Sequence, residues 1–275
     1  MIAVLGAGLL GSNFCRALIA KGEQVHVWNR TFDRAKALEA DGARAFADAA
    51  DAVRGASRVH VVVSDDAAVD SVLAAAKLAP GTLVIDHTTT STEGARGRSA
   101  RTDITYVHAP VFMGPQNARE STGLMLLSGP HRERVKPLVT PMTGKVIDLG
   151  DRVDAAACFK LIGNTFLMGF TAAIGDALGL GKAVGLKPAE VTALFDHFNP
   201  GASIGARAKR MASGDYKDAS WELAMARKDA RLVQAEVDHA HVALLLVPAI
   251  AKQMDAMIAA GHAHEDWTVI AKDLV

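Results

Sequence analysis

From Met1 to about Asp148, short β-branched runs alternate with alanine-rich stretches of helical character, and glycine-containing or polar turns fall between them. The pattern predicts strands at Ile2–Leu5, Gln24–Trp28, Val59–Val63, Leu83–Asp86, Thr105–His108, Gly123–Ser128 and Lys145–Asp148. Their centres are apolar throughout, as expected of strands buried on both faces of a parallel sheet. Strands alternating with helices in this way predict an α/β fold of the doubly wound kind, covered by helices on both sides.

After Asp151 the strand pattern stops. Ala155 to Gly185 is one long apolar helical stretch dotted with Gly169, Gly175, Gly179 and Gly181. Further helices are predicted at Pro188–Phe198, Ile204–Ser213, about Trp221 through Ala240, and Leu245–Ala260. Pro188 suits the first position of its helix, where a missing N–H costs nothing. The chain therefore divides into residues 1–152 and an all-α domain of residues 153–275, joined by the long helix. That helix is too apolar to bridge through solvent, so it is expected to be wrapped by its own domain and packed against a second copy, which points to a homodimer through the helical domain.

With 275 residues, half of them hydrophobic, the chain has ample material for a core. Thirty basic residues balance thirty acidic ones, so neither nucleic acid nor an anionic membrane is expected as partner, and any anion must be bound by a local site. Cys15 and Cys158 both lie in apolar helical stretches, which fits a reducing compartment better than a disulfide framework. Met1–Leu5 runs into a glycine turn without a basic leader or cleavage site, and no later charge-free apolar run reaches about 18 residues. A cytoplasmic location without a membrane span is the expectation. No internal repeat, low-complexity segment or metal site is expected.

Gly6-Ala7-Gly8-Leu9-Leu10-Gly11 follows the first strand directly and opens the helix Ser12–Ala20. A Gly-x-Gly-x-x-Gly loop there permits a tight turn, a close approach of backbone to a pyrophosphate, and close helix–strand packing, with the helix N-terminus facing the negative charge. The preceding strand, the following helix and a second strand about 20 residues on supply the context the motif needs for a dinucleotide-binding Rossmann domain. At the end of that second strand stand Asn29, Arg30 and Thr31, and no acid is available for a ribose 2′-hydroxyl. Arg30 can form a charge-assisted fork to a 2′-phosphate, with Asn29 and Thr31 adding hydrogen bonds, which favours NADP. Alternatively, Thr31 caps the next helix and Arg30 is a solvated charge. Ser64-Asp65 and Thr88-Thr89 end two further strands on the ligand-binding side of such a sheet; helix capping competes with cofactor contact at both.

Lys160 and Asn164 lie four residues apart on one face of the long helix, among Phe159, Leu161, Ile162 and Phe166. Desolvation there lowers a lysine's pKa towards useful acid–base chemistry, so Lys160 can protonate a carbonyl oxygen or deprotonate an alcohol, with Asn164 aligning the same oxygen. A snorkelling lysine beside an asparagine paired to backbone is the competing possibility.

The order Gly6-x-Gly8-x-x-Gly11, Asn29-Arg30-Thr31, Asp86-His87-Thr88-Thr89-Thr90-Ser91, Ala109-Pro110-Val111, Lys160-Leu161-x-x-Asn164 and Lys228-Asp229 resembles the β-hydroxyacid dehydrogenase family over almost the whole chain. Ile174-Gly175-Asp176-Ala177-Leu178 and Glu265-Asp266-Trp267 fit it too. The resemblance implies hydride transfer between NADP(H) and a small carbonyl or alcohol substrate. It implies Lys160 as the catalytic lysine, Asn164 as the substrate-orienting residue, Lys228 close to the nicotinamide, and Asp229 supporting Lys228. Members usually pair through the helical domain.

Two departures bear on the substrate. Where the family usually reads Asp-Ala-Pro-Val-Ser-Gly-Gly, this chain has His108-Ala109-Pro110-Val111-Phe112-Met113-Gly114, and Asp154 and Ala156 replace the glycine pair before the lysine. Phe-Met cannot supply the hydroxyl or the close backbone approach that holds a carboxylate in the family. A bulkier or less acidic carbonyl compound is expected, held by Phe112, Met113 and Gly114 with Lys160 and Asn164, unless the two large residues only fill core space. An imine reductase and an NADP-binding protein without turnover are the alternatives; the retained Lys160 speaks against the imine reductase.

Overall fold

The computed structural model describes residues 1–275 and contains two compact units, Met1–Asn164 and Thr165–Val275. In the first unit the elements run β1 (Ile2–Leu5), α1 (Leu9–Ala20), β2 (Val25–Trp28), α2 (Phe32–Lys36), β3 (Arg44–Phe46), α3 (Ala49–Val53), β4 (Val59–Val61), α4 (Asp66–Ala76), β5 (Thr82–Asp86), α5 (Thr92–Ser99) and β6 (Ile104–His108). These six strands form one parallel sheet in the order β3-β2-β1-β4-β5-β6. The order reverses between β1 and β4, and in such sheets the ligand crevice opens at that switch point, beyond the carboxyl ends of the strands.

The period of two along β1 divides the core between the two faces of the sheet. Ile2 and Val4 pack with Phe14, Cys15 and Leu18 of α1, whereas Ala3 and Leu5 pack with Ala49 and Ala52 of α3 and Val69, Val72 and Leu73 of α4. All four β1 residues are fully buried, which is why the strand reads as an uninterrupted apolar run.

The remaining strands depart from the sequence expectation. The runs near 123–128 and 145–148 do not extend the parallel sheet. After β6, Ala109-Pro110 interrupts the ladder, since proline has no N–H to donate. The chain then forms β7 (Val111–Phe112), α6 (Pro115–Glu120), β8 (Leu124–Leu127), α7 (Arg132–Val139) and β9 (Lys145–Asp148). Here β7 pairs antiparallel with β8, and β8 pairs parallel with β9, giving a separate three-stranded sheet in which Phe112 lies opposite Leu124. The short strands β3 and β7 were not anticipated.

Helix α8 (Ala155–Ala183) begins in the first unit and continues into the second. The second unit also contains α9 (Pro188–Ala193), α10 (Ile204–Ser213), α11 (Leu223–His239) and α12 (Val247–Ala259). The helix expected over Pro188–Phe198 ends early in a 3-10 turn at Leu194–Asp196, and an unanticipated 3-10 helix, Trp267–Leu274, closes the chain. Tyr216, Leu223, Ala226, Met254, Met257 and Val269 form this unit's core. The buried Asp176 carboxylate accepts from the N–H groups of Leu245, Leu246 and Val247 at 2.5, 2.8 and 3.0 Å, so a residue of α8 caps the start of α12. Asp266, also buried, accepts from Ser220 and Thr268 and pairs with Arg210 of α10; these bonds hold its carboxyl well below the usual range against the cost of burial.

By length and composition α8 is apolar enough to cross a membrane, with a mean hydropathy of 1.4. The contrary expectation rested on charge-free runs, which Lys160 and Asp176 interrupt. The Asp176 carboxylate is satisfied by protein N–H groups.

Candidate cofactor and active site

The turn from β1 into α1 depends on two close backbone approaches. Gly6 has φ 114°, and a Cβ there would stand 2.0 Å from the carbonyl oxygen of Val62; a Cβ on Gly11 would stand 2.0 Å from the carbonyl oxygen of Gly6. Only glycine serves at either position. Nothing lies within 4 Å of a Cβ built on Gly8, so the open side of the loop is available for a ligand. No side chain caps α1, and its first turn carries no acid. An uncapped helix N-terminus behind an open glycine backbone fits a pyrophosphate.

A cavity of about 950 Å³ lies along this loop within the first unit. Gly6, Gly8, Leu9, Leu10, Gly11, Asn29, Arg30, Thr31, Ser64, Asp65, Thr88, Thr89, Met113 and Lys160 all line it. The sequence therefore marked most of this wall. Among the lining residues it does not mark are Arg34 of α2, four residues after Arg30, His87 and Val111. Arg34 is legible as a second cation four residues after Arg30, whereas His87 carries no local signal beyond its place in the Asp86–Ser91 run. Phe112, Gly114 and Asn164 do not line the cavity, and Gly114 instead occupies the N-cap position of α6.

Several expected contact residues prove to be scaffolding as well. The Asn29 side chain accepts from Ala7 N–H at 3.0 Å and donates to the Thr31 carbonyl at 2.9 Å, so it buckles the glycine loop to the end of β2 and leaves Arg30, Thr31 and Arg34 to meet a phosphate. The Thr31 side chain makes no capping bond to α2. Asp65 does cap α4, accepting from Ala68 N–H at 2.9 Å and from Ser64 Oγ, and these bonds lower its pKa. Thr88 Oγ1 accepts from Val63 N–H at 3.1 Å. Behind the two loops, buried Arg98 donates to Asp66, to Asp70 and to Tyr106, and Asp66 also accepts from Ser91 N–H. Burial works against the Arg98 charge, yet these partners hold its pKa above the ordinary value. The cluster staples the 64–66 loop to the 88–91 loop.

A second buried chain runs beneath the cavity. Arg58 Nε can only donate, so His60 Nε2 accepts from it at 3.1 Å. His60 Nδ1 therefore carries the proton and donates to His87 Nε2 at 2.9 Å, and His87 Nδ1 donates to the Ala109 carbonyl at 2.7 Å. Burial pushes His87 down to about 4 and also lowers His60, so both rings are neutral at physiological pH and this tautomer order is maintained. The chain anchors the carbonyl from which β7 departs.

Lys160, one turn into α8, is 9% exposed, and burial lowers its pKa from the ordinary 10.5. Its Nζ lies 4.0 Å from the centre of the Phe112 ring. Phe112 thus meets the catalytic candidate from outside the cavity wall, while Met113 forms part of that wall. Asn164 follows one turn later on the same helix. In the second unit, Lys228 Nζ pairs with Asp229 at 2.9 Å, both half exposed. Asp154, in place of a family glycine, is buried and bound by Arg96 and Arg152, which hold its pKa at about 2. That ion cluster fixes the chain where α8 begins.

Comparison with known proteins agrees with this construction. Residues 1–150 match the NAD binding domain of 6-phosphogluconate dehydrogenase, and residues 155–274 match the NAD-binding domain of NADP-dependent 3-hydroxyisobutyrate dehydrogenase. An uncharacterized oxidoreductase of Bacillus subtilis is 22% identical over 98% of both chains. The L-threonate dehydrogenase of Cupriavidus necator is 28% identical, covering 98% of this chain and 95% of its own. An imine reductase from Myxococcus stipitatus, solved with NADP+, shares the fold with a TM-score of 0.93 at 20% identity over the whole of both chains. The chain belongs to the β-hydroxyacid dehydrogenase family of NAD(P)-dependent oxidoreductases.

Proposed function

We propose that this protein is an NADP-dependent reductase of small carbonyl compounds, or in reverse an alcohol dehydrogenase, with Lys160 as its acid–base residue. The observation that carries this is a largely buried lysine lining the dinucleotide cavity, with burial lowering its pKa. When bound, the reduced nicotinamide supplies the hydride. Lys160 donates a proton from Nζ to the carbonyl oxygen in reduction and takes one from the alcohol in oxidation. From the family resemblance we assign Asn164 to orienting that oxygen and Lys228 to the cofactor. Met113 forms part of the substrate side of the cavity wall, with the Phe112 ring against Lys160.

The preference for NADP rests on Arg30 after β2 and Arg34 on α2, with Thr31 Oγ1 not engaged in capping and no acid at that end of the cavity wall. Phe159, Ile162, Phe166, Leu167, Met168 and Phe170 of α8 are exposed, and a second copy packed on them makes the working form a homodimer. Two free cysteines, Cys15 buried and Cys158 partly so, suit a reducing cytoplasm. The test is NADPH consumption across aldehydes, ketones and cyclic imines. Turnover of the carbonyl compounds, lost in Lys160→Ala while NADPH still binds, is the expected result; turnover of imines alone overturns it.

A further inference from the structure

We infer that Phe112 is a specificity-determining residue of this site, and that it selects an uncharged aldehyde or ketone over one bearing a carboxylate beside the reacting carbon. The inference rests on Lys160 being the acid–base residue. Side chains alternate along extended β7 and the residue after it, so Val111 and Met113 line the cavity while Phe112 turns to α8. There its ring lies against Gly163, where a Cβ would stand 2.3 Å from Cζ and 2.7 Å from Cε1, and the Lys160 Nζ stands 4.0 Å from the ring centre. The ring needs a helix position without a side chain, and this helix supplies one.

The strand that carries the ring is held as firmly. Gly123 has φ 90°, and a Cβ there would meet Met113 Cβ at 3.0 Å and the Phe112 carbonyl oxygen at 3.2 Å. Phe112 pairs with Leu124 across the ladder, and the His60–His87 chain fixes the Ala109 carbonyl just before β7. The ring is thus a built part of the lysine's surroundings.

An aromatic face is electron-rich and attracts the ammonium, so the ring occupies one side of Nζ and leaves only the cavity side for a substrate group. Among the residues lining this end of the cavity Lys160 is the sole cation, since Arg30 lies at the end of β2 and Arg34 on α2, and Lys228 of the second unit is already paired with Asp229. One amine, already faced by a ring, cannot both protonate the reacting oxygen and neutralise a neighbouring carboxylate. A neutral carbonyl compound makes only the first demand.

The test titrates isobutyramide and isobutyrate, matched in shape and differing in charge, into the enzyme·NADPH complex by calorimetry, for wild type, Phe112→Ser and Phe112→Leu. Leucine keeps apolar volume and removes the π face, so it serves if the serine variant fails to fold. The amide should bind wild type roughly tenfold tighter than the carboxylate, and both variants should reduce that preference several-fold with NADPH affinity unchanged. A parallel comparison of kcat/KM for methyl glyoxylate against glyoxylate should follow the same order. Equal or tighter binding of isobutyrate by wild type, no binding of either compound, or an unchanged preference in both variants overturns the inference. If the binding preference behaves as expected but no carbonyl compound is turned over, the role of Phe112 stands and the reductase proposal falls.

Discussion

Lys160 illustrates how a residue's chemistry is set by what surrounds it. Burial disfavours its ammonium and lowers its pKa below 10.5. In the proposed carbonyl reduction the protonated amine would be the acid, so the rate should fall as pH rises through that lowered value. Alcohol oxidation needs the free amine and should rise through the same value. Measured kcat/KM profiles should therefore show an alkaline limb for reduction centred below 10.5, and Lys160→Ala should abolish it; a limb retained in the variant assigns the proton to another group. Arg30 gives a second prediction. Arg30→Ala should weaken NADPH by roughly 10- to 100-fold and leave NADH nearly unchanged, since only NADPH offers a charge-assisted 2′-phosphate contact. Equal losses for both cofactors would remove that role.

Much of this was legible in the residues themselves. Gly6 and Gly11 mark the phosphate loop because a close backbone approach leaves neither room for a side chain, and Gly8 keeps the loop's outer side open. Asn29 was placed correctly on the wall but its side chain is consumed by Ala7 and Thr31, because hydrogen-bond partners 22 residues apart leave no trace in local pattern. The Arg58–His60–His87 chain was invisible for the same reason. Its members look like isolated polar residues until β4 and β5 pair.

At the scale of elements, long apolar runs located β1, β2, β4, β5 and β6 with small errors at their ends. The strands β3 and β7 escaped because three and two residues carry too little periodicity to register. What placed β8 and β9 in their own sheet is the interruption after β6 at Ala109-Pro110, a break in hydrogen bonding that hydropathy does not record. In the helical unit, Asp176 makes a prediction of its own. Its carboxylate satisfies three N–H groups at the start of α12, so Asp176→Ala should cost about 2–3 kcal/mol of stability by leaving them unpaired. A thermal melt should then shift down by roughly 5–10 °C. An unshifted melt would mean that water replaces the cap at no cost.

For the molecule as a whole, the exposed apolar face of α8 supports the proposed dimer of the 28.9 kDa chain. Light scattering should return twice the chain mass at micromolar concentration, and Phe166→Glu should shift it towards the single chain. A monomer in the wild type would leave that face without an explanation. The central claim is hydride transfer to a carbonyl carbon assisted by Lys160, and isotope tracing tests it most directly. With NADPH deuterated at the transferable nicotinamide position and an aldehyde or ketone substrate, mass spectrometry of the alcohol product should find the deuterium on the former carbonyl carbon. The same label should be absent from product with Lys160→Ala, although that variant still binds NADPH. Label transfer at the wild-type rate in the variant, or no labelled alcohol from the wild type with any carbonyl compound tested, would contradict the account.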